Sequence, residues 1–178
     1  KARLPNLLEW LDGFQPDVAM LQETKTVDEN FPRLEIEERG YKILAHGQKS
    51  YNGVAILSKH EIEDPLVGLP GDDGDEQARY VEGTIGGIRF ASIYLPNGNP
   101  IATEKFTYKL GWMKRLKARA ETLLQSEGPV VLAGDYNVVP MDEDVHDPAG
   151  WADDALCQPE SRAAYRSILN LGYADAYR

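Results

Sequence analysis

At 178 residues the chain suits one domain able to bury about 70% of its unfolded surface, and its 42% hydrophobic, 27% charged composition excludes collagen-like and disordered classes. No apolar run reaches the roughly 18 residues that span a bilayer and residues 1–11 lack a secretory stretch, so a cytoplasmic protein with no membrane partner is expected. Cys157 is the single cysteine, which rules out an internal disulfide and a four-thiolate zinc site, and the net charge of −10 argues against nucleic acid unless positive charge is gathered locally.

Taken in chain order, Leu4, Leu7, Leu8 and Leu11 recur at helical spacing, and Gly13 and Pro16 stop the pattern, so a helix is predicted over 4–13, with Lys1 close to its start. Val18 to Leu21 are four consecutive apolar residues, as in a strand buried on both faces. A short helix is predicted at about 31–39 and strands at 41–45 and 53–58. Arg79–Ile85 and Ile88–Leu95 flank Gly86-Gly87, a two-residue hairpin signal that makes them antiparallel. Residues 104–126 form the longest helical pattern, with Leu110, Met113, Leu116, Ala120 and Leu123/Leu124 on one face; Gly128-Pro129 ends it. Val130–Ala133 reads as another buried strand, and a last helix is predicted at about 160–171, from Pro159 to Gly172. Strands paired both ways and separated by helices indicate a layered α/β sandwich.

Charge is unevenly placed. Six basic residues (Lys105, Lys109, Lys114, Arg115, Lys117, Arg119) stand against two acidic ones between Glu104 and Glu121, whereas acid is concentrated in 61–76 and 142–154, both read as surface loops. A solvated face is the ordinary explanation of each run.

Three apolar strands end in polar groups: Gln22-Glu23, Tyr94-Leu-Pro-Asn-Gly98, and Gly134-Asp-Tyr-Asn137. In sheets covered by helices, functional groups collect at strand ends. Glu23 and Asp135 from different strands would repel each other if they converged, unless one is protonated or a cation lies nearby. Mg²⁺ suits such a place because it takes oxygen ligands and needs only one or two carboxylates beside water and phosphate. Each segment by itself also has an everyday reading as a turn, cap or solvated strand end. His46, His60 and His146 lack zinc-type spacing and are assigned no ligand role. No Gly-x-Ser-x-Gly elbow or Walker motif is present.

Taken together and in order, Leu21-Gln-Glu-Thr-Lys25, Tyr51-Asn-Gly-Val-Ala-Ile-Leu-Ser58, Tyr94-Leu-Pro-Asn-Gly98, Ala133-Gly-Asp-Tyr-Asn-Val138 and Pro159-Glu-Ser-Arg162 resemble the exonuclease III/AP endonuclease family of DNA-repair nucleases, within the endonuclease/exonuclease/phosphatase superfamily. The stretch from Leu95 to Phe106 is closer to the bacterial exodeoxyribonuclease III branch than to the phosphatase branches. The resemblance implies a four-layer α/β sandwich with two mixed β-sheets, in a single domain over 1–178. It implies hydrolysis of DNA phosphodiesters at 3′ ends of duplex DNA and beside abasic sites, by a monomer. Glu23 is implied as a ligand of Mg²⁺, with Mn²⁺ as substitute; Asp135 as the group that orients or deprotonates the attacking water; and Asn137 as a hydrogen-bonding partner of the phosphate or that water. Tyr94 is implied as a hydroxyl contact to phosphate and Asn97 as its neighbouring contact. Tyr51 and Arg79 stand at positions similar to duplex-contacting residues.

The ends depart from the family pattern. An Asn-x-Asn strand before the first helix and a closing Asp and Ser-Asp-His motif are not in the sequence, which opens at Lys1 and stops at Arg178. The expectation is therefore a fragment that holds part of the metal site and hydrolyses little by itself. A lipid or sugar phosphatase of the same superfamily, and an inactive relative that serves as a binding module, are the competing readings.

Overall fold

The computed structural model describes residues 3–177, so the expectation about Lys1 lies outside the described residues. Two compact units arise from the chain: residues 1–94 with 128–135, and residues 95–127 with 136–178.

Among the described residues, the first unit carries all the strands. Helix α1 (Leu4–Phe14) has Pro5 in its first turn and continues through Gly13. It stops instead at Gln15, whose left-handed backbone (φ 48°) lets its N–H reach the Leu11 carbonyl at 3.0 Å ahead of Pro16. Strand β1 (Val18–Gln22) follows. Helix α2 is confined to Arg33–Glu37, shorter than the predicted 31–39, because Pro32 precedes it and Gly40 (φ 83°) turns the chain after it. Strands β2 (Lys42–His46) and β3 (Val54–Ser58) complete an antiparallel three-stranded sheet in the order β1-β3-β2.

The second sheet has the order β4-β5-β6-β7 and is mixed. β5 (Tyr80–Ile85) and β6 (Ile88–Tyr94) form the predicted antiparallel hairpin across Gly86-Gly87, both at positive φ. β7 (Val130–Asp135) runs parallel to β6. Strand β4 (Glu63–Val67) falls inside the acidic stretch read from sequence as a loop. It is an edge strand with Pro65 at its centre, mostly exposed side chains and a register shift between Glu63 and Leu66, so it shows neither apolar alternation nor an apolar run.

Period 2 explains how the unit is packed. Ala55 and Leu57 of β3 face one way, onto Leu11 of α1 and Ile36 of α2, while Val54 and Ile56 face the other way, onto Val81 and Ile85 of the second sheet. β3 is therefore buried along its whole length. Helices on one face of the first sheet and the second sheet on the other layer this unit as helix, sheet, sheet; of the two sheets expected to be mixed only the second is, because every pairing in the first is antiparallel.

The second unit holds helix α3 (Glu104–Leu123), capped by Thr103, whose hydroxyl accepts from the Lys105 N–H, and helix α4 (Pro159–Leu169), which packs on it. α3 ends before the predicted residue 126; Leu124 to Ser126 close a tighter turn, with the Ser126 N–H on the Leu123 carbonyl. Its buried face is Lys109, Trp112, Met113, Leu116, Ala120 and Leu123, while Leu124 is exposed. Met113, Leu116, Ala120 and Leu123 are the stripe that periodicity anticipates; Lys109 and Trp112 join it in the structure, while Leu110 is only partly buried. Among the described residues, no helix is long and apolar enough to cross a membrane.

Candidate active site

In the first unit the site begins where β1 ends. Glu23 and Lys25 both adopt left-handed backbone conformations (φ 55° and 51°), which non-glycine residues take at a cost of about 1 kcal/mol or more each. Backbone bonds hold this turn: the Thr24 N–H donates to the Gly53 carbonyl at 3.2 Å and the Lys25 N–H to the Asn52 carbonyl at 2.9 Å. Gly53 is required there, since a Cβ at its φ of 94° would lie 2.0 Å from the Thr24 hydroxyl oxygen. The loop bearing Tyr51, which is 72% exposed, is thereby fastened to the loop bearing Glu23.

Gln48 extends the tie. Its Oε1 accepts from Asn52 Nδ2 at 2.7 Å and from the Ala78 N–H at 3.3 Å, next to Arg79. Arg79 does not project freely: its guanidinium lies 4.8 Å from the centre of the Tyr94 ring, donates to the Tyr94 carbonyl at 3.2 Å and to Gln77 Oε1 at 2.7 Å. It fixes the tyrosine from above.

Tyr94 is the last residue of β6, and parallel pairing sets it directly beside Asp135, the last residue of β7. One residue earlier, Gly134 (φ 145°) comes so close to β6 that a Cβ would stand 2.0 Å from the Ile93 carbonyl oxygen. No larger residue fits this approach, and it is what delivers Asp135 to the strand end. β1 is joined to β6 through Ser92, buried, which accepts from Gln22 Nε2 at 3.1 Å and donates to the Leu21 carbonyl at 3.2 Å. The Tyr94 hydroxyl then donates to Glu23 Oε1 at 3.1 Å, and Lys25 Nζ sits 2.5 Å from Glu23 Oε2.

The electrostatics follow from these contacts. The Lys25 ammonium, assisted by the Tyr94 hydroxyl, holds the Glu23 carboxyl below its ordinary value against a smaller effect of burial, so Glu23 is ionised. Burial first, and then the bond to Glu23, push the Tyr94 phenol up; the charge of Asp135 acts in the same direction. Tyr94 is thus a neutral donor. Glu23, Tyr94, Arg79 and Asp135 are brought together in this unit, with Tyr51 on the adjoining loop.

In the second unit the two predicted asparagines meet. Asn97 Nδ2 donates to Asn137 Oδ1 at 3.5 Å, and Asn137 Nδ2 donates to the Leu95 carbonyl at 2.8 Å. Asn137 takes a φ of 45°, the left-handed conformation that asparagine tolerates better than most residues. The loop after Leu95 is held by Asn99, whose side chain donates to Asp154 Oδ2 at 3.0 Å and accepts from the Ala155 N–H at 2.9 Å.

Two groups escaped sequence reasoning. Lys25 is one; its place two residues after Glu23 was the available signal. Lys109 is the other; it stands on the apolar stripe of α3, where a lysine is out of pattern, and it is fully buried.

A cation suits Glu23. Its carboxylate is half exposed and already carries the Lys25 ammonium as an internal stand-in. Among the described residues, no group of three or more His, Cys, Asp or Glu side chains could hold a metal. A hard ion that keeps most of its water shell fits such a site; a zinc-type ion that needs a full set of protein ligands does not.

Comparison with known proteins decides the kinship. The model of the Endonuclease/Exonuclease/phosphatase family matches residues 2–175. This chain belongs to that family. Exodeoxyribonuclease III of Haemophilus influenzae is 33% identical over 189 aligned positions, covering 100% of this chain and 71% of the relative. A Neisseria 3′ phosphatase, NExo, solved with a product DNA hairpin, superposes with a TM-score of 0.94 at 34% identity, over 97% of this chain and 67% of that one. An AP endonuclease from Archaeoglobus fulgidus gives a TM-score of 0.94 at 36% identity, over 99% and 68%. The exodeoxyribonuclease III/AP endonuclease resemblance, the α/β fold and the hydrolytic DNA-repair nuclease class are borne out, and with them a family chemistry that depends on a metal.

Proposed function

We propose that the protein containing this chain hydrolyses phosphodiesters in double-stranded DNA, beside abasic sites and at 3′ ends, with Mg²⁺ as its ion and Mn²⁺ as a substitute, acting as a monomer in the cytoplasm. The observation that carries the reading is the cluster at the strand ends of the first unit: Glu23 bonded to Tyr94, with Asp135 beside Tyr94 in register.

Each residue has a role suited to its surroundings. Glu23, kept ionised by its neighbours, is the ligand that would hold Mg²⁺. The bound ion would polarise a phosphoryl oxygen and stabilise charge that develops on it. Tyr94 is a neutral phenol held in place by Arg79; its single hydroxyl hydrogen, which lies on Glu23 in the structure, would turn to a phosphate oxygen when an ion takes up that carboxylate. Asp135 orients the attacking water and accepts its proton, which requires a carboxylate within hydrogen-bond reach of that water. Asn97 and Asn137 each carry two amide hydrogens and donate to phosphate oxygens as the attack proceeds. Tyr51, exposed on its loop, contacts the duplex.

The test is nicking of an abasic-site duplex and release of 3′-terminal nucleotides by the full-length protein. Cleavage with Mg²⁺ or Mn²⁺, abolished by a chelator, is expected. Full activity in the chelator, or a small phosphate ester hydrolysed faster than any DNA, overturns the reading. A second reading, removal of a 3′ phosphate from a DNA end, is favoured by the likeness to the Neisseria 3′ phosphatase. A duplex with a 3′-terminal phosphate, used in the same assay, measures it through released inorganic phosphate.

A further inference from the structure

Lys109 is the one buried cation on the apolar face of α3, with no exposed surface. Sinking an ammonium into a protein interior is expensive unless its three hydrogens find acceptors. Here Nζ donates to the Asn97 carbonyl at 3.0 Å and to the Asn137 carbonyl at 2.5 Å. Two of its acceptors are thus the backbones of the two residues assigned to phosphate.

The loop is shaped around the lysine stem. Gly98, at φ 90°, lies against it: a Cβ there would stand 2.5 Å from Lys109 Cδ and 3.2 Å from the Ala155 side chain. A leucine or methionine would fill the same stripe on the helix at less cost, but neither can donate to two carbonyls at once. Those two bonds fix the separation of the Asn97 and Asn137 backbones, and hence the place of the amides that meet at 3.5 Å.

We propose that Lys109 is a positioning residue for phosphoryl-ester hydrolysis: its buried ammonium clamps the Asn97 and Asn137 carbonyls and so holds their side-chain amides at the spacing needed by the phosphate. The proposal rests on the assignment of the two asparagines to phosphate. A displacement of reactive groups by about 1 Å costs on the order of 100-fold in rate, so loss of the clamp acts on kcat and leaves substrate affinity and ion requirement in place.

The test is a set of variants of the full-length protein: Lys109→Met, Asn97→Ala with Asn137→Ala, and all three together, assayed on an abasic duplex with Mg²⁺ titrated and thermal unfolding recorded. Lys109→Met is expected to lower kcat by about 10- to 100-fold, with KM and the half-saturating Mg²⁺ concentration each changed less than about twofold. In the variant lacking both asparagine amides the same substitution is expected to add almost nothing, because its effect passes through them. A full additional loss in that background, or an unchanged kcat for Lys109→Met, overturns the proposal. Should Lys109→Met fail to fold, Lys109→Gln, whose amide still donates to one carbonyl, is read by the same cycle and decides in the same way. Unchanged kcat on loss of both asparagine amides would instead refute the phosphate assignment itself.

Discussion

The Tyr94 hydroxyl and the Glu23 carboxylate are hydrogen-bonded at 3.1 Å although 71 positions separate them in sequence. The bond spans the two sheets, β1 contributing the acid and β6 the phenol, and both residues stand at or just beyond a strand end. Position in the ladder, more than the loops themselves, is what brings the chemistry to one place.

Asp135→Asn removes the proton acceptor but keeps size and shape. Turnover of the full-length protein on an abasic duplex is expected to fall by several powers of ten, with thermal unfolding nearly unchanged, as when a key catalytic group is lost. Steady-state kinetics on the variant measure it, and an unaltered kcat removes Asp135 from the reaction.

Glu23→Gln keeps an oxygen but loses the charge that both a metal ion and Lys25 require. The Mg²⁺ concentration for half-maximal rate is expected to rise by about tenfold or more, while the rate at saturating Mg²⁺ recovers in part. A Mg²⁺ titration that overlays the parent's rejects the ligand role.

Gly134→Ala forces a Cβ to within 2.0 Å of the Ile93 carbonyl oxygen at a φ of 145°. Two neighbouring backbones must separate, and a destabilisation of about 2–4 kcal/mol is expected in chemical denaturation. Gly87→Ala is the control: φ is 79° but nothing lies within 4 Å, so the expected loss is only about 1 kcal/mol.

His46, at the end of β2, is half-buried, and burial lowers its pKa, opposed by the nearby Asp28. The folded state therefore takes up its proton at lower pH than the unfolded chain, whose histidine titrates near about 6.5. Stability that is intact above that pH is lost as pH falls toward the folded value. Denaturation midpoints measured from pH 7.5 to 5 are expected to decline less steeply for His46→Gln than for the parent; parallel curves contradict this.

Much of this was legible beforehand, for physical reasons. The strand ends at Glu23, Tyr94 and Asp135 stood out only as an ordered set that resembles a known family, since each by itself also reads as a turn, a cap, a core residue or a solvated strand end. The hairpin was readable from Gly86-Gly87 because both turn positions need positive φ. β4 was not, since an edge strand interrupted by Pro65 has one poorly buried face and so no periodic signature. Arg79 was assigned to DNA from its resemblance alone; its stacking on Tyr94 depends on the register of β5 against β6, which no local pattern encodes. Lys25 and Lys109 were missed because a lysine in sequence signals solvent, and only tertiary structure supplies the carboxylate or carbonyls that hold it.

The side-by-side termination of β6 and β7 restricts how this chain is able to evolve. Inserting or deleting one residue between Ile88 and Ile93, or between Val130 and Gly134, would rotate the phenol or the acid to the opposite side of the pleat. Length variation among descendants should therefore accumulate in the β4 segment and the acidic 142–154 stretch, while those two short ladders stay fixed in length even where their individual apolar residues are exchanged.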